Sequence, residues 1–145
     1  MHDGKLYTLV PKFSVNTVMG KTSIVGDKEG WTMEDLKALM AKYPDASVFG
    51  DTTTRSELLW MFMMYSGSQF VNRETGKCSF DSQEFVDLLE FMKQFPEEFD
   101  YSALPEDYWM NSQKAYRDGK ILLMSLNISN VENYITNVGM FGEPV

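Results

Sequence analysis

Apolar positions along this chain recur in distinct rhythms, and each rhythm predicts a different element. Phe85, Leu88, Leu89 and Met92 stand at i, i+3, i+4 and i+7, the spacing of a helix with one buried face. Asp81, three residues before Glu84, supplies a capping pair at its start. Upstream, the run 58–65 is apolar on every side, which predicts a helix through the middle of the core, with Trp60 inside it. Gly67 can close that helix in the left-handed conformation. Between the two helices, Phe70-Val71 and residues 77–80 flank the turn-rich stretch 72–76, a hairpin pattern.

The same reading extends to the rest of the chain. Residues 6–10 and 15–25 are β-rich, interrupted by Pro11 and Gly20. Thr32 and Asp35 form a capping pair for a helix whose apolar face is Leu36, Leu39 and Met40, and Tyr43-Pro44 ends it. Val48-Phe49 reads as a short extended link, and the polar run 50–54 can cap the helix that follows. After Phe95-Pro96 a loop leads to Pro105, well placed at a first helical position with Glu106 and Asp107 at the positive helix end. That helix carries Tyr108, Trp109 and Tyr116 and stops at Asp118-Gly119. Residues 121–126 are continuously apolar and read as a buried strand. Ser129 then caps a short helix with Val131, Tyr134, Ile135 and Val138. The predicted class is α+β, a helix-rich single domain over 1–145, with a small β-sheet built from the opening segment and 121–126.

Three stretches carry a likeness to a known family. The order helix, Gly67, hairpin FVNRETGKCSF, helix resembles the carboxy-terminal lobe of bacterial extracellular solute-binding proteins, the receptors of sugar-type ABC importers. AYRDGKILLMSLNI at 115–128 is similar to the family's helix, glycine and strand leading into a polar loop, and GWTMEDL at 30–36 resembles the helix start after its first hinge. The opening HDGKLYTLVP resembles the approach to that hinge, and 141–145 falls where a strand returns to the other lobe. The resemblance implies one lobe of a periplasmic-binding-protein-like type II fold, cut near both hinge crossings. It also implies a missing amino-terminal lobe and an upstream secretion or lipoprotein signal, so Met1 would mark where the fragment was cut. Location would be extracellular, lipid-anchored at the cell surface, or periplasmic.

Composition narrows the classes. A chain of 145 residues with 43% hydrophobic and 14% aromatic residues can bury one core, against disorder. The net charge of −8, with acidic residues scattered, argues against nucleic acid and against anionic membrane surfaces, which both select Lys/Arg clusters. The longest apolar run covers eight residues, against the roughly 20 of a spanning helix. Cys78, the one cysteine, reads as a small structural residue in a hairpin strand, and His2, the one histidine, lies near a terminus.

Candidate chemistry is therefore that of binding. The pairs Glu34-Asp35, Glu97-Glu98 and Glu106-Asp107 are adjacent in sequence, whereas a glycosidase needs two carboxylates facing one cleft. No histidine stands where it could activate a serine, and GxSxG, P-loop and HExxH are absent from the sequence. No enzyme activity, metal or cofactor is expected. The resemblance points to two loops as ligand contacts: 51–55, with Thr53 and Arg55, and 127–130, with Asn127 and Ser129. Phe13, Ser14 and Asn16, just past the first hinge, form a third group, and Trp109 is a further candidate. Each has a plainer alternative: Thr52 to Thr54 as a helix cap, Asn127 and Ser129 as turn and cap residues, Arg55 as a solvated charge, Phe13 and Trp109 as core. Trp31 reads as a packing residue before its helix, and Met61, Met63 and Met64 as gap-fillers. Where many sugar-binding relatives place an aromatic residue, this chain has Asn127 and Ile128.

These readings converge on a lobe that binds a small solute, a sugar or oligosaccharide by resemblance, and delivers it to ABC importer membrane subunits by hinge closure. A self-contained protein-interaction or homodimerising module is the alternative, motivated by the number of aromatic residues and methionines. A small carbohydrate-active hydrolase is a third reading, and it would need one indispensable Asp or Glu.

Overall fold

A computed structural model describes residues 12–28 and 30–145. The β-rich stretch 6–10, the HDGKLYTLVP motif and His2 lie outside these residues. In chain order the elements are β1 (Val15–Gly20), α1 (Thr22–Val25), α2 (Met33–Lys42), α3 (Arg55–Ser66), α4 (Gln83–Met92), α5 (Tyr108–Arg117), β2 (Leu123–Ile128) and α6 (Val131–Phe141). The architecture is the helix-rich α+β class with one small sheet. The chain divides into two compact units. The first unites the described part of Met1–Gly50 with Asp107–Val145, and the second is Asp51–Glu106.

In the first unit β1 and β2 pair antiparallel, from Val15 opposite Ile128 to Gly20 opposite Leu123. One end of this ribbon is sunk in the core, where Met19 and Leu123 are buried, and the other reaches solvent, where Val15 is 48% exposed. Gly20 belongs to the buried end. A Cβ there would stand 2.8 Å from both the Leu123 Cδ2 and Val25 Cγ1 atoms, so only glycine lets the strands and α1 close up. The strand stops at Gly20, and Thr22–Val25 is a helical turn rather than the continuing strand expected from sequence. The Lys21 carbonyl accepts from Ile24 and Val25, at the point where β2 ceases to offer a partner.

The strand expected at 121–126 is displaced to Leu123–Ile128, and only its first part is fully buried. Residues 121–123 are covered because a second extended segment runs beside them. Ser47 bridges Ile121, Leu122 N–H donates to the Ser47 carbonyl at 3.0 Å, and Leu123 N–H donates to Val48 at 2.8 Å. Beyond Leu123 β1 is the strand neighbour among the described residues, and the residues alternate between half-buried and exposed. Asn127 and Ile128 therefore lie in the strand and not in a loop after it.

Helices brace this ribbon. Thr32 and Asp35 form the expected capping box of α2, which buries Leu36 and Leu39. Pro105 lies in the turn before α5, not in its first helical position, because the helix begins after Asp107. Its missing N–H costs nothing there. At the other end Gly119 takes φ 69°, and Lys120 N–H reaches back to the Ala115 carbonyl at 2.8 Å, which closes the helix where the sequence placed its stop. Asn130, not Ser129, caps α6: its side-chain oxygen accepts from Asn133 N–H at 2.8 Å. The helix runs on to Phe141, which is 1% exposed and stacks near Tyr116 with ring centroids 5.4 Å apart. Residue 141 thus ends a helix instead of opening a strand, and Gly142 at φ 72° turns the chain. Glu143 then ties the tail down, 2.8 Å from the Lys21 ammonium and accepting from the Ser23 hydroxyl at 3.1 Å.

The second unit is a helix–hairpin–helix. Thr54 and Glu57 make a capping box at the start of α3. That helix does not run through the middle of a core. Leu58 and Met61 are buried, while Trp60 is 65% exposed and Met64 52% exposed, because within this unit α4 is the helix packed against it and one face stays outward. Gly67 is right-handed (φ −60°), contrary to the left-handed closure expected, and the chain continues into a tight 3-10 turn through Gly67–Gln69. The hairpin forms as expected. Val71 bridges Cys78, the Asn72 side chain accepts from Glu74 and Thr75 N–H at 3.0 Å, and Gly76 takes φ 67°. Ser82, one residue after Asp81, caps α4. Phe91, not Leu89, completes its buried face with Leu88 and Met92.

Two stability tests follow from this packing. Phe141→Ala should cost about 3–5 kcal/mol, the usual loss for emptying a buried aromatic site, read as a lower urea midpoint. Asp35 is held down to about 2 from 3.8 by the Lys28 ammonium, then by the backbone N–H and hydroxyl of Thr32. Its folded value lies below its unfolded one, so the unfolded chain takes up the proton first as pH falls. The contribution of Asp35 is then complete above about pH 4 and lost towards pH 2. Asp35→Asn should flatten that part of a stability–pH curve; an unchanged acid limb would contradict the assignment.

Candidate ligand-binding site

The exposed end of the sheet gathers four of the residues singled out in the sequence. Antiparallel register sets Asn16 directly opposite Asn127, on one face of the ribbon. Ser14, two residues before Asn16, shares that face by strand alternation. The Asn127 amide donates both of its hydrogens within this group, to Asn16 Oδ1 at 2.6 Å and to Ser14 Oγ at 3.0 Å. Ser129 follows two residues after Asn127, with the extended Asn130 (φ −162°, ψ 171°) leading into α6. Its hydroxyl donates to Asn133 Oδ1 at 2.7 Å.

Phe13 adjoins this group in sequence and is 82% exposed, which sets aside the core reading. Exposed amides and hydroxyls, with an exposed aromatic residue adjacent in sequence, are groups that a ligand with both C–H faces and hydroxyl groups can use. Ser14, Asn16, Asn127 and Ser129 are all uncharged. The group thus offers hydrogen bonds in both directions without a net field that would select an ion.

The other expected contacts lie elsewhere. Trp109 is 63% exposed on α5, its ring edge-on to Tyr108 with centroids 5.2 Å apart. No described hydrogen bond or ring contact links it to the sheet end. Thr53 and Arg55 belong to the second unit, at the start of α3. Arg55 N–H donates to the Pro96 carbonyl at 2.8 Å, and its guanidinium stands 3.4 Å from Glu97. Its Nε is buried without a hydrogen-bond partner. Arg55 is therefore engaged in joining α3 to the loop after α4.

Sequence reasoning missed Asn130 and Asn133. Both were legible in principle: Asn130 is an Asn three residues before another hydrogen-bonding side chain at a helix start, and Asn133 follows Ser129 at i+4. The carboxylates expected to serve helix ends do so in part. Asp35 closes a capping box and Glu97 pairs with Arg55. Among the described residues no three His, Cys, Asp or Glu side chains converge as a metal site, and no helix is long and apolar enough to cross a membrane.

Comparison with known proteins places this geometry in context. A family model described as bacterial extracellular solute-binding protein matches residues 1–142. No curated protein and no solved structure matches the chain.

Within the cluster, Asn127→Ala should leave the thermal midpoint nearly unchanged, since the residue is exposed and surface changes usually fall within about 0.5 kcal/mol. A large loss of stability would mean that the amide network holds the sheet together and is not free to serve a ligand.

Proposed function

The chain belongs to the bacterial extracellular solute-binding proteins, and from that premise we propose that it binds a sugar or oligosaccharide at the exposed end of its sheet. The coarser statement follows from membership alone: an extracellular or periplasmic solute receptor serving transport, from a family that is in general not enzymatic. The finer one rests on the uncharged cluster of Ser14, Asn16 and Asn127, next in sequence to the exposed Phe13.

In this reading the chain supplies one lobe of a two-lobed receptor. The solute first meets the sheet end, and a hinge rotation brings the amino-terminal lobe over it. Closure is needed on physical grounds. A hydrogen bond exchanged against water contributes only about 0.5–1.5 kcal/mol net, so exposed amides gain most when the covering lobe excludes water. Differential affinity for the closed form then shifts the population towards it. The closed receptor docks on the membrane subunits of an ABC importer, and a lipid anchor through an upstream signal keeps it at the cell surface. Trp109 is a further proposed contact of the first unit, and Thr53 and Arg55 are proposed contacts of the second, each taken within its own unit. The binding itself uses no covalent step and no cofactor.

The test is calorimetric titration of the full-length receptor with neutral mono- and oligosaccharides. The expected result is saturable heat for one glycan class, weakened about tenfold or more by Asn127→Ala, the scale of one or two lost hydrogen bonds. Binding by Asn127→Ala at the wild-type level would remove the sheet end from the site.

A second reading is favoured by a different observation. Val131 at 72% and Ile135 at 63% exposure are apolar side chains left bare on α6, within the first unit. Such surface suits a protein partner or a homodimer. Sedimentation of the chain across a hundredfold dilution separates the readings: a persistent dimer supports the module, and a monomer throughout supports the receptor alone.

A further inference from the structure

The hydrogen bonds at the sheet end have a direction, and resting on the sugar-receptor reading, we infer that the site reads a solute hydroxyl by that direction, with Asn133 as the residue that sets one half of it. The Asn127 amide nitrogen spends both hydrogens, one on Asn16 Oδ1 and one on Ser14 Oγ. Asn127 is thus left with its carbonyl oxygen to offer outward, an acceptor only. Asn16 has its oxygen occupied and offers its amide hydrogens. Ser14 accepts from Asn127 and keeps its own hydroxyl hydrogen to donate.

The same logic applies one step along. Ser129 commits its hydrogen to Asn133 Oδ1 at 2.7 Å, so its remaining capacity is lone pairs. Asn133 is itself fixed. Its backbone N–H bonds the Asn130 side chain at 2.8 Å, and its carbonyl accepts from Asn137 at 2.7 Å. These two bonds hold its backbone at the helix start, so its side-chain oxygen is presented to Ser129 from a fixed position. Asn133 touches no ligand in this account; it is a positioning residue acting through Ser129.

The outcome is a split surface in which the β1 side donates and the β2 side accepts. A hydroxyl group is the one common solute group that does both at a single atom, accepting from Asn16 or Ser14 while donating to Asn127 or Ser129. A carboxylate or phosphate meets bare acceptors on the β2 side, and an ammonium meets bare donors on the β1 side. Both ions also give up hydration for a site with no countercharge among these residues. Direction therefore selects neutral hydroxylated solutes without any charged side chain at the sheet end.

Two substitutions that add the same charge separate this inference from a general electrostatic effect. Asn16→Asp replaces an outward donor by an acceptor and should weaken binding about tenfold or more. Asn133→Ala should also weaken binding, about three- to tenfold, and Asn133→Asp should restore it, since it keeps the oxygen that holds the Ser129 proton. Ser129→Ala, which removes an acceptor and leaves the Asn130 cap intact, serves as a second variant if Asn16→Asp is poorly folded, and it should fall with Asn133→Ala. The measurement is calorimetric titration of the full-length receptor with D-glucose, D-galactose and D-mannose, free and as disaccharides. Equal losses for Asn16→Asp and Asn133→Asp, or no loss for either, would overturn the directional reading while wild-type heat upheld the sugar receptor. Absence of heat from the wild type across the panel would overturn the sugar reading, and this inference with it.

Discussion

The pairing of β1 with β2 is the constraint on which the rest of the site depends. It joins segments more than a hundred residues apart in sequence, and the Asn127–Asn16 hydrogen bond alone spans a separation of 111. The entropy of closing such a loop grows only slowly with its length, so the separation itself is affordable. What a two-stranded ribbon lacks is stability of its own. Here it comes from the buried end, where Met19, Gly20 and Leu123 are held in the core and residues 47–48 add their hydrogen bonds alongside 121–123. Register is then set inside the core, and the exposed end inherits it. A slip of one residue would send Asn16 to the opposite face from Asn127. The polar cluster at the sheet end is in this sense a by-product of packing some distance away along the strands.

The proposed site at the free end of an otherwise anchored ribbon would reconcile two needs. The backbone must be rigid enough to aim amides and hydroxyls, and the side chains must be accessible to a solute. Strand register satisfies both, since Asn16 and Asn127 stand opposite each other on one side of a paired backbone and Ser14 is held to Asn127 by a hydrogen bond. The Asn127 amide locks the three together without any ion pair. Charge is used elsewhere, where a fixed tether is required: the Lys21 ammonium bonds the Arg117 carbonyl and pairs with Glu143, gathering the end of α5, the start of α1 and the tail.

What could be read from the sequence were the features whose causes are local. The capping boxes at Thr32 and Thr54 need only residues three apart, and the hairpin at 72–76 needs only an Asn turn and a glycine of positive φ. The helix-rich α+β class was legible too, while the meeting of Ser14 and Asn16 with Asn127, which the sequence placed in separate groups, is set by the pairing of β1 with β2. Features set by a distant partner were not. The bounds of β2 depend on where β1 and residues 47–48 lie, and an apolar run such as 58–65 says nothing about how many neighbours its helix will find. The cap of α6 was off by one because Ser129 and Asn130 are both good caps, and the choice turns on which side chain accepts from the Asn133 backbone N–H, here that of Asn130.

Hydrogen–deuterium exchange of the full-length receptor, with and without a saturating bound sugar, tests the location of the site most directly. The account predicts new protection in peptides covering 13–17 and 126–134, where the sheet end and the start of α6 meet the solute. Protection confined to peptides of the second unit, with the sheet end unchanged, would contradict it.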